Sequence, residues 1–489
     1  MYRTRNRSFQ NQDSSGWVII HLLLWLVKLI LLFNSNRCCS LKGYPMTEKL
    51  AADVIVVGAG TAGAYFAWQL GKAGYKVLIL EAHRLENLGK HIEIFHMDQV
   101  RFDEFGIPHP TPEELLHVEQ VGYNWSPDLK IKQPVHYPIY VLYMPAFIQR
   151  LHAYARQAGT EILEHAEVQD VMMEGGRLVG VSGRLAGQPF EARARLVVDA
   201  SGLAVAVRAH LPDSFKVENQ PVPPQDCFFV CLEFRKDIPA GFPTGSNSYM
   251  VYKAFWNKSY GDGAILGIGQ PYSFDYAWGK HKEWREAYFG DPGTVLQRRQ
   301  GVIPYHRPPF SLVGDGFLVI GDAACQNKPF SGEGVTSGFT ACRIAAEVAV
   351  EALQKGDCSR EALWAYNVRY FRGQGAKFAA GLAQLPAVVG LTPEDINYLF
   401  RREIIFSSAD FEELNQNYEI NMGAGKLVQI ALGLVWGAVS GQFAFSSLKK
   451  FLSVSAQAGR LKTHYLNYPD SPAGFPDWQV VARALWGET

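Results

Sequence analysis

The β-branched run Val54 to Val57 opens directly onto Gly58-Ala59-Gly60-Thr61-Ala62-Gly63, and no other stretch of the sequence limits the fold so strongly. That glycine spacing is useful only where a strand turns sharply into a helix. The first glycine allows the tight turn, the second lets backbone approach a pyrophosphate, and the third permits close helix–strand packing. A helix is expected from Ala62 to about Lys72, and a second strand from Lys76 to Leu80. The strand ends at Glu81, 18 residues beyond Gly63. Unpaired N–H groups at the helix start attract phosphate, and the carboxylate is placed to accept ribose hydroxyls. Alone the hexapeptide is weak evidence. Within a βαβ unit it indicates a dinucleotide site formed by Gly58, Gly60, Thr61, Ala62, Gly63 and Glu81. An acid at Glu81 disfavours a 2′-phosphate.

A second motif lies about 240 residues further on, where Phe317 to Ile320 reads as a buried strand ending in Gly321-Asp322-Ala323-Ala324. Pro329, Gly332, Glu333 and Gly334 follow, and then a helix to about Leu353. A ribityl chain needs a carboxylate to accept its hydroxyl hydrogens, and Asp322 at a strand end supplies one. The helix start would stabilise negative charge developing on a flavin ring. FAD is therefore expected rather than NAD. A third element, Leu196-Val197-Val198-Asp199-Ala200-Ser201-Gly202 with Arg208 after it, reads on its own as a turn. Beside the other two motifs it adds Asp199 and Gly202 to the cofactor candidates.

The chain has 489 residues, with 47 basic and 47 acidic side chains, so it lacks the basic surface of a nucleic-acid binder. Seven scattered cysteines form no CxxC pair, which argues against zinc and for a reducing, cytoplasmic compartment. Cys227 and Cys231 read as core packing. Residues 1–45 differ from the rest: Arg3, Arg5 and Arg7 precede an apolar run from Trp17 to Phe33. Translation starting at Met46 is the preferred reading of this extension, ahead of a membrane anchor or an export signal.

Residues 90–140 are rich in Pro, His and aromatics and read as a loop-bearing insertion. A helix at about 145–158 returns the chain to the nucleotide unit. Residues 226–270 alternate apolar and polar, as an antiparallel sheet does. Beyond 360 the pattern is mainly helical. The apolar stretch 426–439 is explained equally well by burial and by a membrane role.

The three motifs, in this order and spacing, resemble the flavoprotein monooxygenase superfamily with the p-hydroxybenzoate hydroxylase fold. Within it the chain is most similar to the geranylgeranyl reductase family, through GVIPYHRPPFSLVGDGFLVIGDAACQNKPFSGEGVTSGF and the tail from Tyr465 through Tyr468 and Phe475 to Trp478. The resemblance covers about residues 50–480. It implies an α/β fold: a Rossmann-type FAD-binding domain (50–90, 144–212 and 300–360), an inserted antiparallel-sheet substrate domain (91–143 and 213–299) and a helical C-terminal region (361–489). It implies that Gly58, Gly60, Gly63 and Glu81 hold the ADP half. Asp322 would contact the ribityl or pyrophosphate, and Pro329, Gly332 and Gly334 would form the turn beside the flavin. The sequence departs from the family pattern at Met144, where an Arg is common, and at Lys90-His91-Ile92-Glu93, where some members carry Cys-Gly-Glu.

In this fold the substrate lies between flavin and sheet, with Phe228, Phe229, Tyr252, Phe255 and Trp256 as candidate lining. The expected reaction is hydride transfer from flavin N5 to a carbon–carbon double bond of an isoprenoid or other apolar substrate. His91, Glu93 and His96 are the candidate proton donors. With no second GxGxxG, electrons are expected from transiently bound NAD(P)H, or from ferredoxin or another donor protein. The alternatives are a monooxygenase and a membrane-associated electron-transfer flavoprotein with peripheral membrane contact. Halogenation is disfavoured because no Trp-x-Trp-x-Ile-Pro signature is present.

Overall fold

Val54–Val57, Val77–Leu80 and Leu196–Asp199 are each buried at every position, as strands covered on both faces must be. In the computed structural model they form the centre of a six-stranded sheet. Its order is Val313–Gly314, Phe317–Val319, Leu196–Asp199, Val54–Val57, Val77–Leu80, Glu161–Leu163. All pairs are parallel except the outermost Val313–Gly314 hairpin. The register aligns Val57 with Leu80 and with Asp199, and Asp199 with Val319. Three carboxyl-terminal strand ends, followed by Gly58, Glu81 and Ala200, therefore lie beside the one that leads into Gly321. This edge is where open α/β sheets bind ligands.

The structure describes residues 47–239, 245–246, 251–257, 261–329, 331–404, 407–420 and 423–488. The extension 1–45 lies outside them, and so do the side chains of Tyr252, Phe255 and Trp256. The helix Thr61–Lys72 packs against Met144–Gln157 and Val335–Gln354, with Tyr65 stacked on Phe339 at 4.5 Å.

A seven-stranded sheet runs in the order Thr294–Pro304, Cys227–Lys236, Gly261–Gln270, Val251–Asn257, Gly245–Ser246, Gly122–Trp125, Lys132–Val135. Alternation along Cys227–Lys236 sends Val230, Leu232 and Phe234 into a core with Ile94, Leu116 and Val141. Phe229 and Cys231 point the other way, under the helix Phe274–Tyr288. Cys227 and Cys231 are buried thiols, as the apolar run predicts.

The 90–140 insertion is more ordered than its composition suggests. Ile94–Asp98, Ile139–Tyr143 and Leu115–Glu119 form a sheet of their own, while Gly122–Trp125 and Lys132–Val135 complete the seven-stranded one. These strands have four or five residues and distant partners, so the stabilising contacts leave little local periodicity.

Beyond Arg360 the described elements are helical, interrupted by a π-turn at Phe371–Gly375 where Gly373 leaves helical geometry. The tail aromatics Tyr465, Tyr468, Phe475 and Trp478 are buried in the main core. The stretch 426–439 lies in the helix Ala424–Val439, of which Ile430, Leu434 and Gly437 are buried. Simple burial therefore does not account for its other apolar residues.

Candidate functional site

The glycine turn is built as its spacing requires. Gly58 has φ +103°, and a Cβ there would collide with the Ala200 carbonyl. A Cβ on Gly63 would strike the Gly58 carbonyl oxygen, whereas one on Gly60 would meet no protein atom within 4 Å. The open space beside Gly60 adjoins the start of Thr61–Lys72, which has neither a capping side chain nor an acidic residue in its first turn. Its free N–H groups form an anion cradle.

Glu81 is buried at the end of its strand. Its carboxylate accepts from the backbone N–H of Ala59 at 2.8 Å and of His83 at 2.9 Å, which leaves lone pairs for ribose hydroxyls. His152 was not found by sequence reasoning. It is buried on Met144–Gln157 and its Nε2 meets the Ala59 carbonyl at 2.7 Å. A carbonyl only accepts, so Nε2 carries the proton. Burial holds the pKa of the ring below the usual histidine value, keeping it neutral. It therefore pins the glycine turn from below.

Asp199 is engaged by its own turn. Oδ1 accepts from the Ser201 N–H and hydroxyl at 3.1 and 2.6 Å, and Oδ2 from the N–H groups of Val207 and Arg208 at 3.1 and 2.7 Å. Four protein donors fill its acceptor sites. What this turn presents to the glycine loop is the Ala200 backbone. Gly202, at φ +65°, opens the short helix that follows.

Gly321, at φ +66°, lies so close to the first motif that a Cβ would sit 2.8 Å from that of Ala62. The two motifs thus meet at the helix start. Asp322 is enclosed by protein yet keeps accessible surface, so it lines a recess. Burial raises its carboxyl pKa, opposed by a hydrogen bond to Asn327. Gly334 packs on the same group, since a Cβ there would collide with Asn327 Oδ1. Gly332, at φ +68°, has room for no side chain because Ile303 occupies that space. Pro329 is buried between these two glycines and Asp322 in sequence. An uncapped helix start, open space at Gly60, and strand-end carboxylates at Glu81 and Asp322 together fit FAD.

Glu333, inside this second turn, touches His96 on the strand Ile94–Asp98. Lys328 Nζ lies 3.1 Å from its other oxygen. Burial pushes the Glu333 carboxyl up, but Lys328 and then His96 outweigh it and hold the pKa well below the usual range. Asp98 nearby is raised by burial and by the Glu333 charge. Of the three candidate proton donors, His96 meets the second turn. His91 is exposed. Glu93 is buried at φ +70° and accepts from Gln297 at 2.7 Å and from Arg299 at 3.1 Å. That ties the insertion to the sheet strand Thr294–Pro304.

Phe228 pairs in register with Ile303 and meets Tyr305 edge-on at 4.1 Å. Through Ile303 this wall touches Gly332. Phe229 packs instead against Phe274 beneath the helix, so alternation removes it from that wall.

Residues 53–220 match the family model described as FAD dependent oxidoreductase. The chain is 25% identical over 459 residues to a digeranylgeranylglycerophospholipid reductase from Sulfolobus acidocaldarius, covering 88% of this chain and 96% of that one. Its fold resembles a geranylgeranyl bacteriochlorophyll reductase-like protein from Thermoplasma acidophilum, with TM-score 0.65 and 17% identity over 84% of this chain and all (100%) of that one. A flavin-dependent brominase shares the fold at TM-score 0.59 and 17% identity, covering 78% of this chain and 98% of that one. With its glycine turn and Gly-Asp turn meeting at one sheet edge, the chain is an FAD-dependent oxidoreductase, similar in sequence and fold to proteins of the geranylgeranyl reductase type.

Proposed function

We propose that the chain reduces carbon–carbon double bonds of an isoprenoid or similarly apolar substrate, as the names of its reductase relatives suggest. The observation that carries this reading is the contact of Glu333, within the second glycine-rich turn, with His96, close to the apolar pair Phe228 and Ile303. Bound FAD supplies the hydride, from N5 once it is reduced. The protein's own residues bind, orient and protonate. Backbone at Gly58, Gly60, Thr61, Ala62 and Gly63 receives the pyrophosphate, and Glu81 takes the ribose hydroxyls. Asp322 takes a ribityl hydroxyl. Gly202, Gly321, Pro329, Gly332 and Gly334 keep backbone close to the cofactor, and Asp199 acts by holding Ala200 beside Gly58.

Ionised Glu333 accepts from His96 Nε2 and orients the ring, so that the protonated ring offers its Nδ1 hydrogen to the carbon that does not take the hydride and is left as neutral imidazole. Glu93 is a positioning residue through Arg299, and His91 has no part in the step. Phe228 and Ile303 exclude water and favour an apolar chain. Electrons reach the flavin from a donor that binds transiently, a nicotinamide or a ferredoxin.

The test is to photoreduce the FAD-loaded protein without oxygen and add geranylgeranyl diphosphate or a geranylgeranylated lipid. Flavin reoxidation with a saturated product supports the reading. Flavin that stays reduced until oxygen enters, followed by a hydroxylated product, replaces it with a monooxygenase. Glu333→Gln is expected to slow anaerobic reoxidation by about 10²-fold while flavin content stays at the wild-type level.

A further inference from the structure

From Ile420 to Pro469 the sequence contains no Asp or Glu, although Lys426, Lys449, Lys450, Arg460 and Lys462 all fall within it. The span includes the helices Ala424–Val439 and Phe445–Leu466, joined by a short turn. Their inner faces are accounted for. Ile430, Leu434, Phe443 and Leu448 pack with Leu391, Ile396 and Tyr398 into a satellite core. Tyr398 also donates to the Gly433 carbonyl at 2.7 Å.

The outer faces are apolar and uncovered. Leu432, Val435, Trp436 and Val439 recur at helical spacing and are 66%, 52%, 58% and 80% exposed. Phe445 and Leu452 continue the surface on the second helix, at 74% and 57%. Lys449 lies one turn from Phe445 on that side. Lys449 and Lys450 are exposed and form no ion pair among the described residues, whereas Lys426 pairs with Asp410 and Lys462 with Glu419. A contiguous exposed apolar surface of this kind marks a contact face.

We infer that this hairpin is a docking face for an anionic lipid surface, lying in the headgroup plane with its apolar stripe among the acyl chains. Three properties select lipid over a protein partner. The acid-free span avoids repulsion from lipid phosphates, Lys449 flanks the stripe, and Trp436 has the amphipathic ring suited to an interface. No described helix is long and apolar enough to cross a membrane, so the hairpin lies on the bilayer. The same satellite core includes Ile131, and the Asp128 N–H donates to Asn397 at 3.2 Å. Docking therefore brings the Gly122–Trp125 and Lys132–Val135 end of the seven-stranded sheet to the lipid. The inference does not depend on which substrate the site reduces.

The test uses the full FAD-loaded chain with vesicles of phosphatidylcholine and phosphatidylglycerol at 3:1, and with phosphatidylcholine alone. Hydrogen–deuterium exchange is followed peptide by peptide. Peptides within 424–452 should gain protection on 3:1 vesicles, and Leu432→Glu/Trp436→Glu should abolish that protection. Lys449→Glu should weaken vesicle binding about tenfold and reduce its dependence on phosphatidylglycerol. Val480→Glu, on an exposed apolar residue of a different helix, should bind as the wild type does. Because the readout is local, binding by residues 1–46 cannot imitate it. Vesicle binding with unchanged exchange in 424–452 would overturn the inference. So would a lipid-free dimer, seen by analytical ultracentrifugation, that Leu432→Glu/Trp436→Glu dissociates, because the face would then belong to a second copy of the chain.

Discussion

At the scale of single residues, the glycines of the first turn do different work and should fail differently. Gly63→Ala forces a Cβ into the Gly58 carbonyl, which should destabilise the protein by about 1–3 kcal/mol and lower its melting temperature. Gly60→Ala meets nothing within 4 Å, so the apoprotein should melt near the wild-type temperature while losing affinity for FAD. A titration of apoprotein with FAD, followed by flavin fluorescence, separates the two. His152 gives a pH prediction. Its folded pKa is lowered by burial, so its contribution is present above the unfolded value near 6.5 and is lost as pH falls through it toward the lower folded value. The melting temperature should drop between pH 7.5 and 5.5, and drop less in His152→Gln, whose amide can still donate to Ala59. Gly58, Gly60, Gly63, Glu81 and Asp322 were legible in the sequence because backbone geometry and strand-end chemistry dictate their residue types. The His96–Glu333 contact spans 237 residues and leaves no local trace, and His152 reads as any histidine on a helix. An acid between two glycines at Glu333 was the one available signal.

At the scale of elements, the strands read correctly from sequence were those with a clear pattern: continuous apolar runs where both faces are buried, and apolar–polar alternation in the antiparallel strands of 226–270. The insertion strands were missed because Gly122–Trp125 is completed by Ser246 from far along the chain, and pairing of that kind has no sequence period. Phe229 was misplaced for a simpler reason: adjacent strand residues point to opposite faces, and only packing shows which face is which. The last helix, Phe475–Trp486, is tied down by Arg307. Its guanidinium meets Glu218 at 2.7 Å and Glu488 at 2.6 Å and lies over Phe310. Arg307→Met should cost about 2–4 kcal/mol, less than a fully buried network because both carboxylates keep solvent contact. Chemical denaturation would measure the loss, and exchange in the 475–486 peptide should rise with it.

At the scale of the whole molecule, the candidate cofactor residues come from segments that are distant in sequence and meet at one sheet edge. FAD that binds only the folded chain stabilises it by about 2.7 kcal/mol at a hundredfold excess over Kd. Removing FAD should therefore lower the melting temperature, and adding it back should protect peptides around both 58–81 and 321–334 from exchange. Protection of only one group would separate the two motifs. The order of strands in the six-stranded sheet also bears on biosynthesis. Leu196–Asp199 receives its neighbour Phe317–Val319 only after more than a hundred further residues have been made. Until then a nascent chain carries an unpaired edge strand with the apolar run Leu196-Val197-Val198 while it assembles the seven-stranded sheet. Ribosome pausing, chaperone capture and aggregation during expression should therefore all concentrate on the interval before residue 317 emerges.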